Sequence, residues 1–470
     1  MSVLAENKIQ YQKEQDQILK TILDYRFFKP WNNIEQMVND AALRNDSNLE
    51  LFISGTCNQH CDYCYLYKHK GLYPPECDNP EQILKNLKIL YDYILVNDYN
   101  IPVIDIFSGE IWHTQFGLDI LQITLDYIKK GMKVEQILTT TNGYFLSNDI
   151  SFQKIQSYIN QFNNIGCPLV FSLSIDGKIL DNEFRARNNG IEYDDNFYDH
   201  VFSFCRENNF LFHPMVSSKN VFKWKENYEW WKKQLNYYNF DFSAIMTLEV
   251  RDADWTAESI KAYCEFNNYL IDDFIKNYCH NSIETFAKAI TGVRKTNEVP
   301  DVGGYHPWTI GPVDSFLGCT VSNHLTVRVG DLAICPCHRT AYKEYLYGYF
   351  VVENDQIVDI KSENPLMAMK ILMGNLKSTT PLCTYCIYND ICLHGCLGSQ
   401  LETMHDPFFP IDNVCKLFRA KYHNLLKYYR QLGVIDYLKQ IPISEIDNEQ
   451  AKFIVNIDKL DREVYPDDVE

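Results

Sequence analysis

Short apolar, β-branched runs recur along the chain at LELFIS (49–54), IPVIDIF (101–107), EQILTTT (135–141), PLVFSLSI (168–175), FLFHPMVS (210–217) and FSAIMTLEV (242–250). Between them the apolar positions take a helical spacing, around 81–96, 115–130, 151–165, 195–208 and 221–237. Strands separated by helices of this length form right-handed parallel βα units, with the helices covering the sheet. Six such units predict an α/β fold, a curved and partly closed (β/α)6 barrel over residues 49–255. In such architectures chemistry gathers at the C-terminal ends of strands, so the residues just after each run carry the functional weight.

The flanks differ in pattern. Residues 1–48 read as polar helices with Ile18, Leu19, Ile22 and Leu23 on one face, an extension with no fold of its own. Residues 256–318 read as two helices, around 256–278 and 282–293, followed by the Pro/Gly-containing connector NEVPDVGGYHPWTIGP. A cysteine-rich domain is expected at 319–420 and a helical tail at 421–470, whose acidic end DKLDREVYPDDVE is expected to fray. No apolar run of about 18 residues and no secretory signal pattern stands in the sequence, which predicts a cytoplasmic protein without a membrane partner.

Composition narrows the chemistry. A chain of 470 residues with 46% hydrophobic content can bury a large core. The formal net charge of −18 argues against nucleic acid as a partner, because phosphate neutralisation needs Lys/Arg patches. A neutral or basic peptide fits that charge better, although excess Asp and Glu that only solvate the surface account for it equally. Sixteen cysteines in a large chain without a signal peptide read as reduced thiols, and clustered reduced thiols read as metal ligands.

Cys57, Cys61 and Cys64 lie in SGTCNQHCDYCYLYK, directly after the first expected strand. Three thiolates on a short loop can hold three irons of a four-iron cubane and leave the fourth iron open to an external ligand. A closed structural zinc site is the competing reading. The spacing, its place after the first strand and Tyr63 within it resemble the signature of the radical S-adenosylmethionine superfamily. That resemblance implies that the open iron chelates the amino and carboxylate groups of S-adenosylmethionine. The cofactor then carries the hard chemistry, and the protein supplies position and shielding.

Further segments resemble the same superfamily's cofactor contacts. Ser108, Gly109 and Glu110, after the second strand, match a Gly-Gly-Glu motif that receives the methionine amino group, with Ser in first place and Ile111 where Pro is usual. Thr141 and Asn142, before Gly143, stand after the third strand, and Ser174 and Asp176 stand at the end of the fourth, as ribose-side and methionine-side segments. Arg185 resembles an arginine that meets the cofactor carboxylate.

The second cysteine group reads Cys319-x10-Gly330-x4-Cys335, then Cys383-x2-Cys386-x5-Cys392-x3-Cys396, then Cys415. Seven cysteines in this order resemble the SPASM domain of peptide-modifying radical enzymes. The resemblance implies one auxiliary cluster on Cys383, Cys386, Cys392 and Cys415, and another on Cys319, Cys335 and Cys396. Cys337, in CPCHR, either replaces Cys335 or joins it as the fourth ligand. A zinc ribbon is the alternative. Cys77, Cys167, Cys205, Cys264 and Cys279 show no ligand spacing and read as buried thiols.

Together these resemblances imply an oxidoreductase that uses S-adenosylmethionine and three [4Fe-4S] clusters. The expected partners are a precursor peptide, an external low-potential electron donor of the flavodoxin or ferredoxin type, and a separate leader-binding protein. Sulfatase maturases carry an Asp directly after the auxiliary-cluster cysteine, whereas here Pro336 follows Cys335 and His338 follows Cys337. That departure favours a thioether or carbon–carbon cross-link over a sulfatase-maturase-like oxidation and leaves His338 as candidate proton acceptor. A non-catalytic iron–sulfur electron carrier is the reading from another class.

Overall fold

The computed structural model describes residues 3–24, 27, 48–188, 193–240, 245, 247–291, 309–311, 324–342, 344–373, 380–392, 394–441 and 448–466. The chain divides into two compact units that cut across the expected domain boundaries. One spans 1–174, 184–211 and 320–376, and the other 175–183, 212–319 and 377–470.

The first unit is built on an eight-stranded sheet of the expected α/β class. Asn48–Ser54, Asn100–Ser108, Lys133–Thr141 and Leu169–Leu173 run parallel and side by side in that order, at the first four expected strand positions. On the other side of Asn48–Ser54 lies His324–Arg328, parallel to it and buried along its whole length, as a strand covered on both faces is. Ala333–Cys335, Gly348–Glu353 and Gln356–Ser362 extend the sheet in antiparallel fashion. These last four strands were not anticipated from the hydrophobic pattern. Pairing of Asn48–Ser54 with His324–Arg328 is what draws residues 320–376 into this unit.

The helices that link the parallel strands begin on side-chain caps. Asn79, Thr114, Asn148 and Asp194 each accept a backbone N–H from the first turn of Pro80–Val96, Gln115–Lys129, Asp149–Asn164 and Asp195–Asn208. The N-terminal helix Val3–Leu23 packs on strand Gln356–Ser362 and helix Pro365–Met373. Asp16 accepts the Ser362 N–H at 2.7 Å, and Gln12 donates to the Ser362 carbonyl at 3.0 Å. The extension thus covers an edge strand, which would otherwise present an open pairing template. Its buried face is narrower than expected, because Leu19, Ile22 and Leu23 are buried while Ile18 is 39% exposed.

In the second unit the fifth and sixth expected strands shrink to Met215–Val216 and Leu248–Glu249, a parallel pair preceded by a single Phe212–Ile245 bridge. Pro214 interrupts the first of these runs, and a residue without an N–H cannot sustain a ladder. The rest is helical, chiefly Trp224–Tyr238, Ala257–Asn277, Asp412–Gln431 and Asn448–Val464. Trp224, Trp231, Tyr263 and Tyr429 fill its core. The expected fraying of the C-terminal end is overturned over the described residues. Helix Asn448–Val464 buries Ile454, Ile457, Asp458 and Asp461, and those two aspartates face inward and are ion-paired. Among the described residues no helix is long and apolar enough to cross a membrane.

Candidate functional site

The loop after Asn48–Ser54 carries Cys57, Cys61 and Cys64, with Cys61 buried and the other two half-buried. Its course is fixed by backbone contacts. Gly109 N donates to Ser54 O and Glu110 N to Thr56 O, both at 2.9 Å. A Cβ on Gly109 would lie 2.2 Å from Thr56 O, so only glycine permits this approach. Further along, Gln59–Cys61 pairs antiparallel with Arg185–Arg187, and the Asn188 side chain donates to Cys57 O at 3.1 Å. Burial pushes the Cys57 thiol up to about 12, which keeps its proton in place until a metal displaces it.

Glu110 is the buried acid of this site. One carboxylate oxygen accepts the Asn142 N–H at 2.7 Å and the Thr141 hydroxyl at 2.8 Å, and the other accepts Trp112 N at 3.4 Å. Burial nevertheless dominates and raises its carboxyl to about 7, with those hydrogen bonds and Arg185 acting in the opposite direction. Asn142 reaches back to the thiol loop, donating to Asn58 Oδ1 at 2.8 Å and lying 4.0 Å from Cys57 Sγ. Ser108 is 4% exposed and its hydroxyl has no protein partner. Arg185, also buried, donates to the Tyr63 hydroxyl at 2.6 Å and to Gln59 at 3.5 Å. Ser108, Gly109, Glu110, Thr141, Asn142 and Arg185 are thus gathered around the three-thiol loop.

The fourth strand contributes less. Ser174 is half-buried and its N–H donates to Thr141 O at 2.8 Å. Asp176 is fully buried, and its carboxylate accepts Met215 N at 2.7 Å while its carbonyl accepts Asn227 and Trp231 side chains at 2.7 and 2.9 Å. Those contacts tie Asp176 to the Met215–Val216 strand.

In the second unit Cys383, Cys386, Cys392 and Cys415 all line one mostly apolar pocket, together with Val414 and Phe418. These four thiols come from a short helix, the loop after it and the first turn of Asp412–Gln431. Cys396 stands at the N-terminus of helix Leu397–Met404. Cys319 lies outside the described residues. In the first unit Cys335 ends a strand and is fully buried, its thiol pushed up to about 12 by burial, whereas Cys337 is half-buried beside the Thr340 hydroxyl at 3.6 Å. Cys77, Cys167, Cys205 and Cys279 are buried, and Cys264 is half-buried with its thiol raised by burial to about 12.

His338 is more than a surface residue. Its Nδ1 lies 2.8 Å from Glu50 Oε2, and because a carboxylate only accepts, that nitrogen carries the proton. Its ring stacks on Phe107 with centroids 3.9 Å apart. Glu50 also accepts His338 N and the Thr326 hydroxyl, and Asp105 stands opposite it in register on the neighbouring strand. Sequence reasoning missed Glu50 and Asp105. The available signal was a charge in the middle of a parallel, doubly covered strand.

No protein-family model matches the sequence, and no curated protein matches it. Among solved structures, a histidine-tagged protein described as "anSMEcpe with bound AdoMet" superposes with a TM-score of 0.50 at 15% identity, covering 87% of this chain and 98% of that one. The two chains share a fold.

The donor sets can be tested against iron–sulfur clusters on their own chemistry. Among the described residues no three His, Cys, Asp or Glu side chains converge as ligands of a single ion. A cubane makes no such demand, since it takes one thiolate on each of several irons and needs thiols spread around a cavity. Soft thiolates around the Cys383–Cys415 pocket, and three more on a loop beside a buried acid, fit that requirement.

Proposed function

We propose that the chain is a radical S-adenosylmethionine enzyme with SPASM-type auxiliary clusters, and that it installs a thioether or carbon–carbon cross-link in a ribosomally made peptide. The observation that carries the reading is the facing of Cys383, Cys386, Cys392 and Cys415 into one pocket, beside the independent gathering of Glu110, Asn142 and Arg185 at the Cys57–Cys64 loop. Cys57, Cys61 and Cys64 would hold a four-iron cluster, which would supply the one-electron chemistry for reductive cleavage of S-adenosylmethionine.

The chain's own residues do the rest. Gly109 fixes the thiol loop by letting its backbone approach Thr56. Glu110 offers a carboxylate to the methionine ammonium, and Ser108 offers a buried hydroxyl without a protein partner. Arg185, buried among Tyr63 and Gln59, is suited to the cofactor carboxylate. Glu50 orients His338 so that Nε2 faces away from the carboxylate and serves as proton acceptor. Cys383, Cys386, Cys392 and Cys415 would hold an auxiliary cluster, which would supply one-electron transfer.

The test is anaerobic. Dithionite-reduced protein with S-adenosylmethionine and candidate precursor peptides should release 5′-deoxyadenosine and give a peptide two mass units lighter. A hydrazide probe separates this from a sulfatase-maturase-like oxidase, because it traps an aldehyde and ignores a cross-link. No deoxyadenosine with any peptide would leave the chain an electron carrier and overturn the reading.

A further inference from the structure

Within the second unit, Tyr388 stands between Cys386 and Cys392, is 2% exposed, and donates its hydroxyl to Asp461 on helix Asn448–Val464. Asp461 is fully buried and accepts two more donors, His423 Nδ1 at 3.0 Å and Arg430 Nη1 at 3.0 Å. Both donors project from Asp412–Gln431, the helix whose first turn carries Cys415. Arg430 continues to Asp458 at 2.9 Å, which Arg462 also meets at 3.0 Å. A second tie runs from the Tyr422 hydroxyl to Ile391 O at 2.7 Å. The segment between the second and third pocket thiols is therefore tied to the helix that supplies the fourth in two ways, directly through Tyr422 and indirectly through Asp461, which Tyr388 shares with His423 and Arg430.

Such an arrangement costs more than a plain core. A fully buried carboxylate is tolerated only when its lone pairs are met, and an apolar side chain of similar size would pack without that demand. What Asp461 adds is direction, because three donors from two elements fix one oxygen pair and through it the Tyr388 ring. A segment that carries three of the four thiols needs that direction, since its own structure is one helical turn, Pro381–Thr384, and short backbone turns such as Cys386 N to Cys383 O and Cys392 N to Tyr388 O, none of which ties it to the rest of the unit.

We propose that Asp461 is a positioning residue for the C-terminal thiol pocket, and that the C-terminal helix is a clasp holding Cys383, Cys386 and Cys392 in ligand-ready order against Cys415. This rests on the reading that these four thiols hold a cluster.

Hydrogen exchange on the full-length, metal-free chain tests the clasp without invoking the cluster. Asp461→Ala and Tyr388→Phe should both speed amide exchange across residues 383–392 by about tenfold or more, the factor expected for a lost hydrogen bond to a charged group, while Asn48–Ser54 stays protected. Reconstituted Tyr388→Phe should then lose the pocket's iron to a chelator faster than the unsubstituted chain. Unchanged exchange at 383–392 in Tyr388→Phe overturns the proposal, including in the case where Asp461→Ala does not fold. The cluster reading fails separately: if Cys383→Ala with Cys386→Ala leaves the iron content unchanged, the pocket holds no cluster, whatever the exchange data give.

Discussion

Glu110 provides the sharpest quantitative prediction. Its carboxyl titrates near 4.5 in the unfolded chain and, raised by burial, at about 7 in the fold. At 1.36 kcal/mol per pH unit, the gap is worth about 3 kcal/mol. Between those two pH values the native state keeps a proton that the unfolded chain has lost. The stabilisation from protonated Glu110 is therefore fully present below about 4.5 and drains away as pH rises through about 7. Urea unfolding of the metal-free chain and of Glu110→Gln, at half-unit steps from pH 4.5 to 8, isolates this group, because the variant cannot titrate there. The stability of the unsubstituted chain minus that of the variant should fall by about 3 kcal/mol across the range. S-adenosylmethionine supplies a second arm: an ammonium placed on Glu110 favours the carboxylate, so binding at pH 6 should release a proton, visible by calorimetry in buffers of different ionisation heat. A stability difference that is flat, or that grows with pH, would refute the account of Glu110 as an acid held neutral by burial.

Other consequences are as concrete. Gly109→Ala places a Cβ 2.2 Å from Thr56 O and must push the thiol loop aside, so iron retained at Cys57, Cys61 and Cys64 should drop while the far-ultraviolet circular dichroism stays unchanged. Lys421→Met strands the buried Glu249 carboxylate and should destabilise by about 3–5 kcal/mol in urea. In the unsubstituted chain burial opposes ionisation of Glu249, but Lys421 outweighs it and lowers the carboxyl to about 2, so this pair's stabilisation holds above 4.5 and is lost as pH falls through about 2. With the three clusters expected from the sequence, Cys383→Ala with Cys386→Ala should remove about a third of the iron of the loaded protein, and full retention would mean that the pocket binds none.

What the sequence made legible is local. The three-thiol loop, Ser108–Glu110 and Thr141–Asn142 are short motifs placed at strand ends, and the parallel register of the first four strands brings those ends together. The helix starts were also legible, because Asn79, Thr114, Asn148 and Asp194 are side-chain caps written next to the apolar periodicity. The second half of the large sheet was not read, although part of its signal stood in the sequence. Asn354 and Asp355, both at positive φ, form a two-residue turn between Gly348–Glu353 and Gln356–Ser362, the pattern of a tight hairpin. Strand His324–Arg328 gave no such cue, since its partner Asn48–Ser54 lies more than 270 residues earlier. Asp176 shows what a motif leaves out: a motif position states which residue stands there, not which distant amide, such as Met215 N, it also binds.

The two cysteine groups are held by different physics, and the difference explains how each should fail. The Cys57–Cys64 loop hangs from backbone hydrogen bonds at the end of a parallel strand, so its geometry belongs to the sheet and yields only to a change of backbone such as a Cβ on Gly109. The Cys383–Cys392 segment has one helical turn and a run of local backbone turns, and its ties to the neighbouring helices named here are side-chain ones, Tyr388 on Asp461 and Tyr422 on Ile391 O. Each such tie contributes on the order of 1 kcal/mol, which several independent single substitutions can remove. Local opening should therefore reach the C-terminal thiols at lower free energy than the N-terminal ones. On metal-free protein under partial urea, a maleimide should modify Cys383 and Cys386 before Cys61, and the reverse order would place the weaker scaffold at the sheet.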